Sequence, residues 1–286
     1  MMKELAGKTI VVTGASSGIG AATAVACGAA GMNVVLGGRR LDRLQQVAQK
    51  VESVGGATSL VIGDVRDRFN TTELLDQAVT SFGGVDCVFA NAGYSMEKSF
   101  VTMSEDELRG MFETNFFASV ALAREAALRW IESDRGGHVI LCSSCVAKFP
   151  LPFQGVYAAT KGAQALVARA MRHELSPFGI QVSTVHPITT RTEFFDRSAE
   201  RSGFRRGEFG RDGVPDHAPR LFVQSPERVA NAVVRGLQSP RSEIWTSWIV
   251  RMASALFTVF PRLQDLVMHR QAAAERGRHR IRRSDG

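Results

Sequence analysis

A short apolar segment near the start of the chain runs directly into a glycine-rich turn. Residues 9–13 read Thr-Ile-Val-Val-Thr, residues 14–20 read Gly-Ala-Ser-Ser-Gly-Ile-Gly, and an apolar helical pattern follows. A buried strand, a tight turn and a helix in this order present the backbone N–H groups of the helix N-terminus to a phosphate group. The feature therefore predicts a βαβ unit and a parallel sheet, which places the chain in the α/β class.

The alternation of strand-like and helical segments continues along most of the chain. Strands are predicted near 8–13, 33–37, 57–62, 85–90, 138–142, 180–185 and 243–245, and helices near 18–30, 42–54, 71–82, 104–131, 156–176 and 225–237. The helix that begins at Ser104 is expected to break near Asn115. We predict a doubly wound parallel sheet of about seven strands with helices on both faces. Residues 1–244 are expected to form a single domain, because no linker or repeat divides them.

Two later segments depart from this alternation. Residues 188–223 are polar and rich in arginine, glycine and proline, which predicts an irregular lid over a substrate site. Residues 245–275 carry apolar residues at helical spacing, which predicts an amphipathic helical extension that Pro261 interrupts. Residues 276–286 contain five arginines and one aspartate and are expected to form a disordered basic tail.

Composition and charge limit the functional classes. The 286 residues are 44% hydrophobic and 22% charged, and no apolar run is long enough to span a bilayer. The first strand begins too early to leave room for a secretory leader, so a cytoplasmic location is expected. More than half of the net charge of +7 lies in the basic tail, which is compatible with nucleic acid, an anionic membrane or simple solvation. The excess forms no recognisable nucleic-acid-binding motif, and no such partner is predicted.

The four cysteines and six histidines do not indicate a metal site. Cys27 and Cys87 lie in apolar stretches and are interpreted as small buried residues. Cys142 and Cys145 have the spacing of a redox pair, but they lie at a strand end rather than at the start of a helix. The histidines lack the spacing of metal ligands, so no metal is predicted.

Three polar residues in the middle of the chain predict acid–base chemistry. Tyr157 and Lys161 lie four residues apart on a predicted helix, so they share a face, and Ser144 precedes the tyrosine at a strand end. An ammonium group near a phenol favours the phenolate and is expected to lower the pKa of Tyr157. The hydroxyl of Ser144 is suited to donate to a substrate oxygen on which negative charge develops. A tyrosine–lysine pair by itself is also typical of an exposed helix face.

Taken together, these motifs resemble the short-chain dehydrogenase/reductase family over roughly residues 7–237. The resemblance is carried by the turn at 13–20 and by Asp64-Val65, Asn91-Ala92-Gly93, Asn115, Ser144, Tyr157 and Lys161, in that order. It implies a Rossmann-type fold and an oxidoreductase that interconverts a carbonyl and a secondary alcohol with a nicotinamide cofactor. It also implies that Tyr157 is the acid/base, that Ser144 polarises the substrate oxygen, and that Lys161 binds the nicotinamide ribose. Asn115 resembles the asparagine that holds a water molecule behind the lysine.

The same resemblance implies the cofactor-binding residues. They are Gly14, Ser16, Ser17, Gly18, Ile19 and Gly20 in the turn, Asp64 and Val65 at the adenine, Asn91, Ala92 and Gly93 after the fourth strand, Tyr157 and Lys161, and Pro187, Ile188 and Thr192 after the sixth strand. Ile188 stands where the family usually has glycine, and isoleucine does not readily adopt a positive φ. We therefore expect this loop to bend differently and to reshape the pocket.

The end of the second strand indicates which cofactor is preferred. A dehydrogenase that selects NAD carries an acidic residue there to hold the adenosine ribose hydroxyls. This chain has Gly37-Gly38-Arg39-Arg40, in which no carboxylate repels a 2′-phosphate and a guanidinium is available to bind it. NADP(H) is therefore predicted rather than NAD(H), with Arg39 as the main contact and Arg40 stacked on the adenine. Alternatively, the arginines simply begin the solvated helix that follows.

Apolar residues are expected around the reacting end of the cleft. Tyr94, Phe149, Leu151 and Phe153 come from segments that surround the nicotinamide position and, with Ser144, predict a hydrophobic carbonyl or alcohol substrate. Ordinary core packing is the other interpretation of these aromatic residues. A second function, in a different class, is a non-enzymatic NADP(H) sensor on the same fold.

Two kinds of association are considered from the sequence. The resemblance implies a homodimer or homotetramer that associates through the helices near 104–132 and 156–176. The segment 245–286 combines an amphipathic pattern with a basic tail, so it is a candidate for peripheral contact with an anionic membrane. The same amphipathic pattern is compatible with packing on the domain itself, over the substrate cleft or against a second subunit.

Overall fold

A computed structural model describes residues 4–204, 210–211, 214–215 and 220–275. Its main sheet has seven parallel strands in the order β3-β2-β1-β4-β5-β6-β9. These strands are β1 (Thr9–Thr13), β2 (Asn33–Gly38), β3 (Ala57–Ile62), β4 (Cys87–Ala90), β5 (Gly137–Cys142), β6 (Ile180–His186) and β9 (Glu243–Trp245). The doubly wound Rossmann-type sheet predicted from the sequence is confirmed, including its short last strand.

The helices lie on both faces of this sheet. They are α1 (Gly18–Ala29), α2 (Leu41–Ser53), α3 (Arg68–Phe82), α4 (Glu105–Phe112), α5 (Ala118–Glu132), α6 (Gly155–Leu175), α7 (Glu193–Arg201), α8 (Pro226–Gln238), α9 (Trp248–Val259) and α10 (Pro261–Glu275). Successive residues of β1 point to opposite faces: Ile10 and Val12 pack with α1, α2 and α8, and Val11 packs with α3, α5 and α6. Because both faces are covered, every residue of β1 is buried, and its three central residues are apolar.

The long helical stretch after Ser104 is interrupted where the sequence predicts. Ser104 caps α4 with Glu107: the Glu107 N–H donates to Ser104 Oγ at 3.2 Å, and the Ser104 N–H donates to the Glu107 carboxylate at 2.8 Å. A π-helical turn, Glu113–Phe117, then separates α4 from α5 and contains the buried Asn115. Such single turns commonly occur at functional sites, and this one aims Asn115 at the region behind α6.

The segment 188–223 is more ordered than expected. Its described part contains α7 and a two-stranded antiparallel ribbon of β7 (Gly210–Arg211) and β8 (Val214–Pro215). Thr192 caps the N-terminus of α7, where its Oγ1 accepts from the Phe194 N–H at 3.3 Å. The many glycines and prolines in this segment made the capping residue hard to recognise from the sequence.

After the last strand the chain forms α9 and α10, with a break between Phe260 and Pro261 as the sequence predicts. Across the described residues, no helix combines the length and the apolar character needed to cross a membrane. The basic tail at 276–286 lies outside the described residues.

Candidate active site

A cleft of about 1170 Å³ lies across the carboxyl ends of the strands. The segments that follow β1, β2 and β3 form one end of it, and those that follow β4, β5 and β6 form the other. The chain reverses its strand order between β1 and β4, so the loops on either side diverge and leave room for a ligand. Of the predicted site residues, those that line the cleft are Gly14, Ser16, Ser17, Gly18, Ile19, Arg39, Arg40, Asp64, Val65, Asn91, Ala92, Gly93, Tyr94, Ser144, Phe149, Tyr157, Lys161, Pro187, Ile188 and Thr192.

The glycine turn has the geometry of a phosphate cradle. Gly14 and Gly18 have φ of 64° and 56°, in the left-handed region that favours glycine. A Cβ on Gly14 would lie 2.9 Å from the Ala92 Cα, and one on Gly18 would lie 3.1 Å from the Thr192 methyl carbon, so larger residues would fill the cradle. The Ser17 side chain accepts no hydrogen bond from the first turn of α1, which leaves N–H groups available for an anion. These residues fit the diphosphate of a dinucleotide.

Gly20 lies outside the cleft lining and has a packing role instead. A Cβ there would collide with the Gly14 carbonyl. Asn91 supports the same turn from β4, since its side-chain amide donates to the Thr13 carbonyl at 3.0 Å. The turn is therefore fixed by neighbouring backbone as well as by its own glycines.

Charged residues of both signs line the end of the cleft beyond β2. Arg39 is largely exposed and lies 3.5 Å from Asp64, whereas Arg40 forms an ion pair with Glu193 of α7 and donates to Ser16 and Ser17 at 3.1 and 3.0 Å. The hydrogen bond from Arg40 lowers the pKa of Glu193 to about 2. Arg40 therefore joins the glycine turn to the start of α7 across the cleft, a role that the sequence did not suggest.

Asp64 is held between two arginines rather than standing alone at the cleft rim. Arg66 donates to it from its main-chain N–H at 3.0 Å and from its guanidinium at 2.9 Å, and Arg39 approaches from the other side. These interactions, with the Arg66 side-chain hydrogen bond as the largest cause, lower the pKa of Asp64. Arg66 also lines the cleft and was not singled out from the sequence.

At the other end of the cleft, Ser144, Tyr157 and Lys161 come together as predicted. Ser144 follows β5, Tyr157 lies on α6, and both side chains line the cleft. Lys161 lies one turn further along α6, with Nζ 5.8 Å from the centroid of the Tyr157 ring. The lysine is 4% exposed and donates to the Cys142 carbonyl at 2.7 Å. An acid/base hydroxyl, a hydroxyl donor and a buried cation thus share one wall of the cleft.

Burial is the main influence on the pKa values of Tyr157 and Lys161. It raises the pKa of Tyr157, and Ser144 opposes it. Burial also lowers the pKa of Lys161. The predicted lowering of the tyrosine pKa by the lysine together with an oxidised nicotinamide stays a prediction.

Gln164 is a site residue that the sequence analysis missed. It is fully buried on α6, where its Oε1 accepts from Lys161 Nζ at 3.0 Å and its Nε2 donates to the Asn115 carbonyl at 2.6 Å. Ser119 Oγ accepts from the same nitrogen at 2.9 Å. A polar residue three positions after Lys161, on the face that also carries Tyr157, was the available signal.

Asn115 lies behind the lysine as expected but does not line the cleft. Its side-chain amide donates to the Tyr94 carbonyl at 2.9 Å and to Thr160 Oγ1 at 3.1 Å. The Gln164 side chain connects the Asn115 carbonyl to Lys161, and the water molecule expected behind the lysine stays a prediction.

The loop after β6 accommodates Ile188 with an ordinary backbone. Among described non-glycine residues, the left-handed conformation occurs at Asp134 and Phe153, and Ile188 is not one of them. The Pro187 carbonyl accepts from the Cys145 N–H at 3.0 Å, and Thr192 lies against Gly18. The loop therefore closes the cleft through Thr192 without a glycine at 188.

The cleft beyond Tyr157 is apolar. Phe149 and Leu151 line it as predicted, and Phe194 of α7 lies with its ring 5.8 Å from that of Tyr157. Phe257 of α9 packs edge to face on Phe149, with ring centroids 6.0 Å apart, which agrees with one of the placements left open for the segment after 245. Phe153 was predicted to line the cleft and does not: its backbone turns at φ 62°, and its carbonyl accepts from the Lys98 N–H at 2.8 Å.

The thiols near Ser144 have no activated character. Burial raises the pKa of Cys142, and it raises the pKa of Cys145 to about 11. Both are free thiols in the structure, and the neutral form is a poor nucleophile. The CxxC spacing therefore reflects the end of β5, where Cys142 and Cys145 serve as small buried side chains next to the cleft.

A doubly wound sheet with a long cleft across its carboxyl edge defines a dinucleotide-binding α/β protein, and comparison with known proteins gives its family. A family model described as short chain dehydrogenase matches residues 8–203. The 3beta-hydroxysteroid dehydrogenase 1 of Eggerthella lenta is 32% identical over 222 residues, which are 76% of this chain and 85% of that protein. The chain belongs to the short-chain dehydrogenase/reductase family of oxidoreductases.

Solved structures agree with this assignment. A short chain dehydrogenase from Mycobacterium paratuberculosis bound to NAD is 25% identical, with a TM-score of 0.71 over 85% of this chain and 97% of that chain. An alcohol dehydrogenase from Thermococcus sibiricus complexed with 5-hydroxy-NADP is 26% identical, with a TM-score of 0.69 over 83% of this chain and 95% of that chain. Structures similar to this chain thus hold nicotinamide cofactors of both kinds.

Proposed function

We propose that this protein is an NADP(H)-dependent oxidoreductase that interconverts a hydrophobic ketone and the secondary alcohol, with reduction as the cellular direction. The observation that carries the proposal is the position of Ser144, Tyr157 and the buried Lys161 on one wall of the cleft. A positioned donor, an acid/base and a cation are the groups that carbonyl reduction needs.

The side chains divide the work of the reaction. The Tyr157 hydroxyl, which burial keeps protonated, donates its proton to the carbonyl oxygen, and Ser144 donates a second hydrogen bond as charge develops there. Lys161, fixed by the Cys142 carbonyl, stabilises the phenolate that remains. The cofactor, when bound, supplies the hydride.

The preference for NADP(H) is supported by the charge at the end of β2. Arg39 is exposed at the rim and has one neighbouring carboxylate, Asp64, which Arg66 also contacts. The guanidinium of Arg39 is therefore available to a 2′-phosphate. Arg40 is engaged by Glu193, so its proposed place is at the glycine turn rather than on the adenine.

The substrate class follows from the cleft lining. Phe149, Leu151, Phe194 and Phe257 line the cleft on the side of Tyr157, and Arg201 lies over the ring of Tyr94. An apolar substrate replaces water against the four apolar side chains with favourable contact.

We also propose a homo-oligomer and a cytoplasmic location. Phe117 at the start of α5 and Leu166 on α6 are 52% and 72% exposed, on the helices through which relatives associate. The free thiols Cys27, Cys142 and Cys145 suit a reducing compartment.

A substrate screen with a matched variant tests the proposal. Apolar ketones are supplied with NADPH, and loss of the reduced-cofactor absorbance is followed for wild type and Tyr157→Phe. The variant is expected to lose about 10²- to 10⁴-fold in kcat while retaining its affinity for NADPH. Tyr94→Phe, the change at the other tyrosine, is expected to alter KM alone. Undiminished turnover by Tyr157→Phe would refute the assigned chemistry, and turnover of no ketone with intact cofactor binding would favour a sensor.

A further inference from the structure

The two C-terminal helices expose an unusually apolar surface. We call it the outer apolar face, and it consists of Trp248, Ile249, Met252, Leu256, Val259, Phe260, Leu263, Leu266 and Val267. Trp248 is 74% exposed, Val259 68% and Phe260 56%. Single apolar side chains are common on protein surfaces, but a cluster of this kind marks an interaction site.

The residues of this face lie together because the corner between the helices is tight. The Phe260 N–H donates to the Leu256 carbonyl at 2.8 Å, and the Leu263 N–H donates to the Phe260 carbonyl at 3.0 Å. Leu256, Val259, Phe260 and Leu263 therefore lie within about two helical turns of one another. The corner presents a continuous apolar ridge.

The opposite side of α9 is already occupied by the protein. Val250 is buried, and Phe257 packs on Phe149 in the wall of the cleft. Packing over the substrate cleft, one of the alternatives left open by the sequence, thus accounts for the inner side of α9. It does not account for the exposed apolar residues on the other side of α9, such as Trp248, Met252 and Val259. On α10, Gln271 and Ala274 also line the cleft.

Charge indicates what the outer apolar face contacts. Arg251, Arg262 and Arg270 are exposed on the same two helices, and residues 248–286 contain eight arginines against three carboxylates. An apolar helix face with tryptophan and arginines matches the interface of an anionic bilayer, where apolar side chains enter the acyl boundary and arginines pair with headgroups. A second copy would bring its own Arg251, Arg262 and Arg270 to the same contact, which is electrostatically unfavourable.

We propose that the outer apolar face docks this protein on an anionic lipid surface, with α9 and α10 lying in the plane of the interface. The inner side of α9 lines the substrate cleft, so docking brings the apolar end of the cleft close to the bilayer. Resting on the proposed function, this geometry assigns the substrate class more narrowly: a lipid-soluble carbonyl compound that enters the cleft from the membrane.

Binding to vesicles tests the docking without any turnover. The full chain is mixed with vesicles of phosphatidylcholine alone or of phosphatidylcholine with phosphatidylserine, and the sedimented fraction is measured. We expect binding to the anionic vesicles, weakened by salt. The combined variant Trp248→Ser, Val259→Ser, Phe260→Ser should reduce the affinity by about two orders of magnitude. Phe100→Ser, at a residue 75% exposed elsewhere, should leave it unchanged.

A second measurement uses the tryptophans of the wild-type chain. Trp130 is buried and Trp245 is stacked on His186 with ring centroids 4.6 Å apart, so Trp248 is the tryptophan open to solvent. Lipids with brominated acyl chains should quench its emission, and Trp248→Phe should abolish most of the quenching. Equal recovery of wild type with and without anionic vesicles overturns the proposal. Normal vesicle binding by the combined variant would also overturn it. The same holds if the substitutions leave vesicle binding intact and instead reduce the oligomeric mass of the protein in solution. None of these outcomes bears on ketone reduction.

Discussion

Gln164 Oε1 accepts a hydrogen bond from Lys161 Nζ at 3.0 Å, and the same side chain donates to the Asn115 carbonyl at 2.6 Å. All three residues are buried. The amide therefore connects the lysine to the π-helical turn that separates α4 from α5. A lysine with four methylene groups has many conformers, and two fixed acceptors, Gln164 and the Cys142 carbonyl, hold its ammonium beside Tyr157.

Gln164→Leu is predicted to impair the reaction through the position of Lys161. The variant removes one acceptor from a buried ammonium, which costs about 1.5–3 kcal/mol for a hydrogen bond to a charged group. We expect kcat/KM to fall by about tenfold to a hundredfold and its pH profile to shift, because the pKa of Lys161 is lowered further when an acceptor is lost. Steady-state rates across pH measure both effects.

Two further variants separate positioning from simple packing. Gln164→Glu keeps an acceptor oxygen at Lys161 and should recover part of the activity with a different pH profile. Ser119→Ala removes a partner of the Gln164 nitrogen but leaves the lysine contact in place, so it should retain the wild-type profile. If Gln164→Leu only lowered the unfolding midpoint and kept the wild-type pH profile, Gln164 would be a packing residue.

Arg39→Asp is predicted to reverse the cofactor preference. The change removes a guanidinium from the rim and places a carboxylate beside Asp64, where it would repel a 2′-phosphate and accept from ribose hydroxyls. We expect the ratio of the Kd values for NADPH and NADH to rise by about a hundredfold. Calorimetric titration of both cofactors gives the ratio directly.

Arg40→Gln is the matched comparison for this prediction. Because Arg40 pairs with Glu193 and donates to Ser16 and Ser17, its loss should loosen the contact between α7 and the glycine turn. Both cofactors should then bind more weakly by a similar factor. An unchanged ratio in Arg39→Asp, or a larger change in Arg40→Gln, would move the phosphate contact away from Arg39.

The sheet could be predicted from the sequence because buried strands and tight turns depend mainly on residues that are close together in the chain. Every residue of β1 is buried on a sheet covered on both sides, so its apolar run was unambiguous. The positive φ of Gly14 and Gly18 is also a local requirement. The Ser144, Tyr157 and Lys161 motif needed only a strand end and one helix face to assemble.

Features that depend on contacts distant in sequence were not predictable in the same way. The ion pair between Arg40 and Glu193 spans 153 positions, and Phe257 reaches the cleft only because α9 folds back on the loop after β5. Phe153 was placed in the cleft lining because it is close to Phe149 in the sequence. Its backbone is left-handed, and its side chain does not line the cleft. Gln164 was visible in the helix pattern, yet its partners Asn115 and Ser119 come from another helix.

His138 is predicted to make stability depend on pH. It lies in the centre of the sheet, where Nε2 is 2.8 Å from Ser183 Oγ and Nδ1 is buried with no hydrogen-bond partner. Burial, with a smaller contribution from Arg172, lowers its pKa from 6.5 to about 3. The unfolded chain therefore binds a proton between these values that the folded chain does not. The stabilisation is complete above pH 6.5 and is lost as the pH falls towards 3, by about 1.4 kcal/mol per pH unit.

Urea unfolding at a series of pH values between 7 and about 4.5 measures this dependence. His138→Gln retains a nitrogen donor for Ser183 but cannot take up a proton, so its free energy of unfolding should fall less steeply by about that amount per pH unit. His186, whose pKa burial lowers to about 4, maintains part of the slope in both proteins. Identical slopes for wild type and His138→Gln would mean that His138 takes up its proton without unfolding, through a water path to the Nδ1 face of the ring.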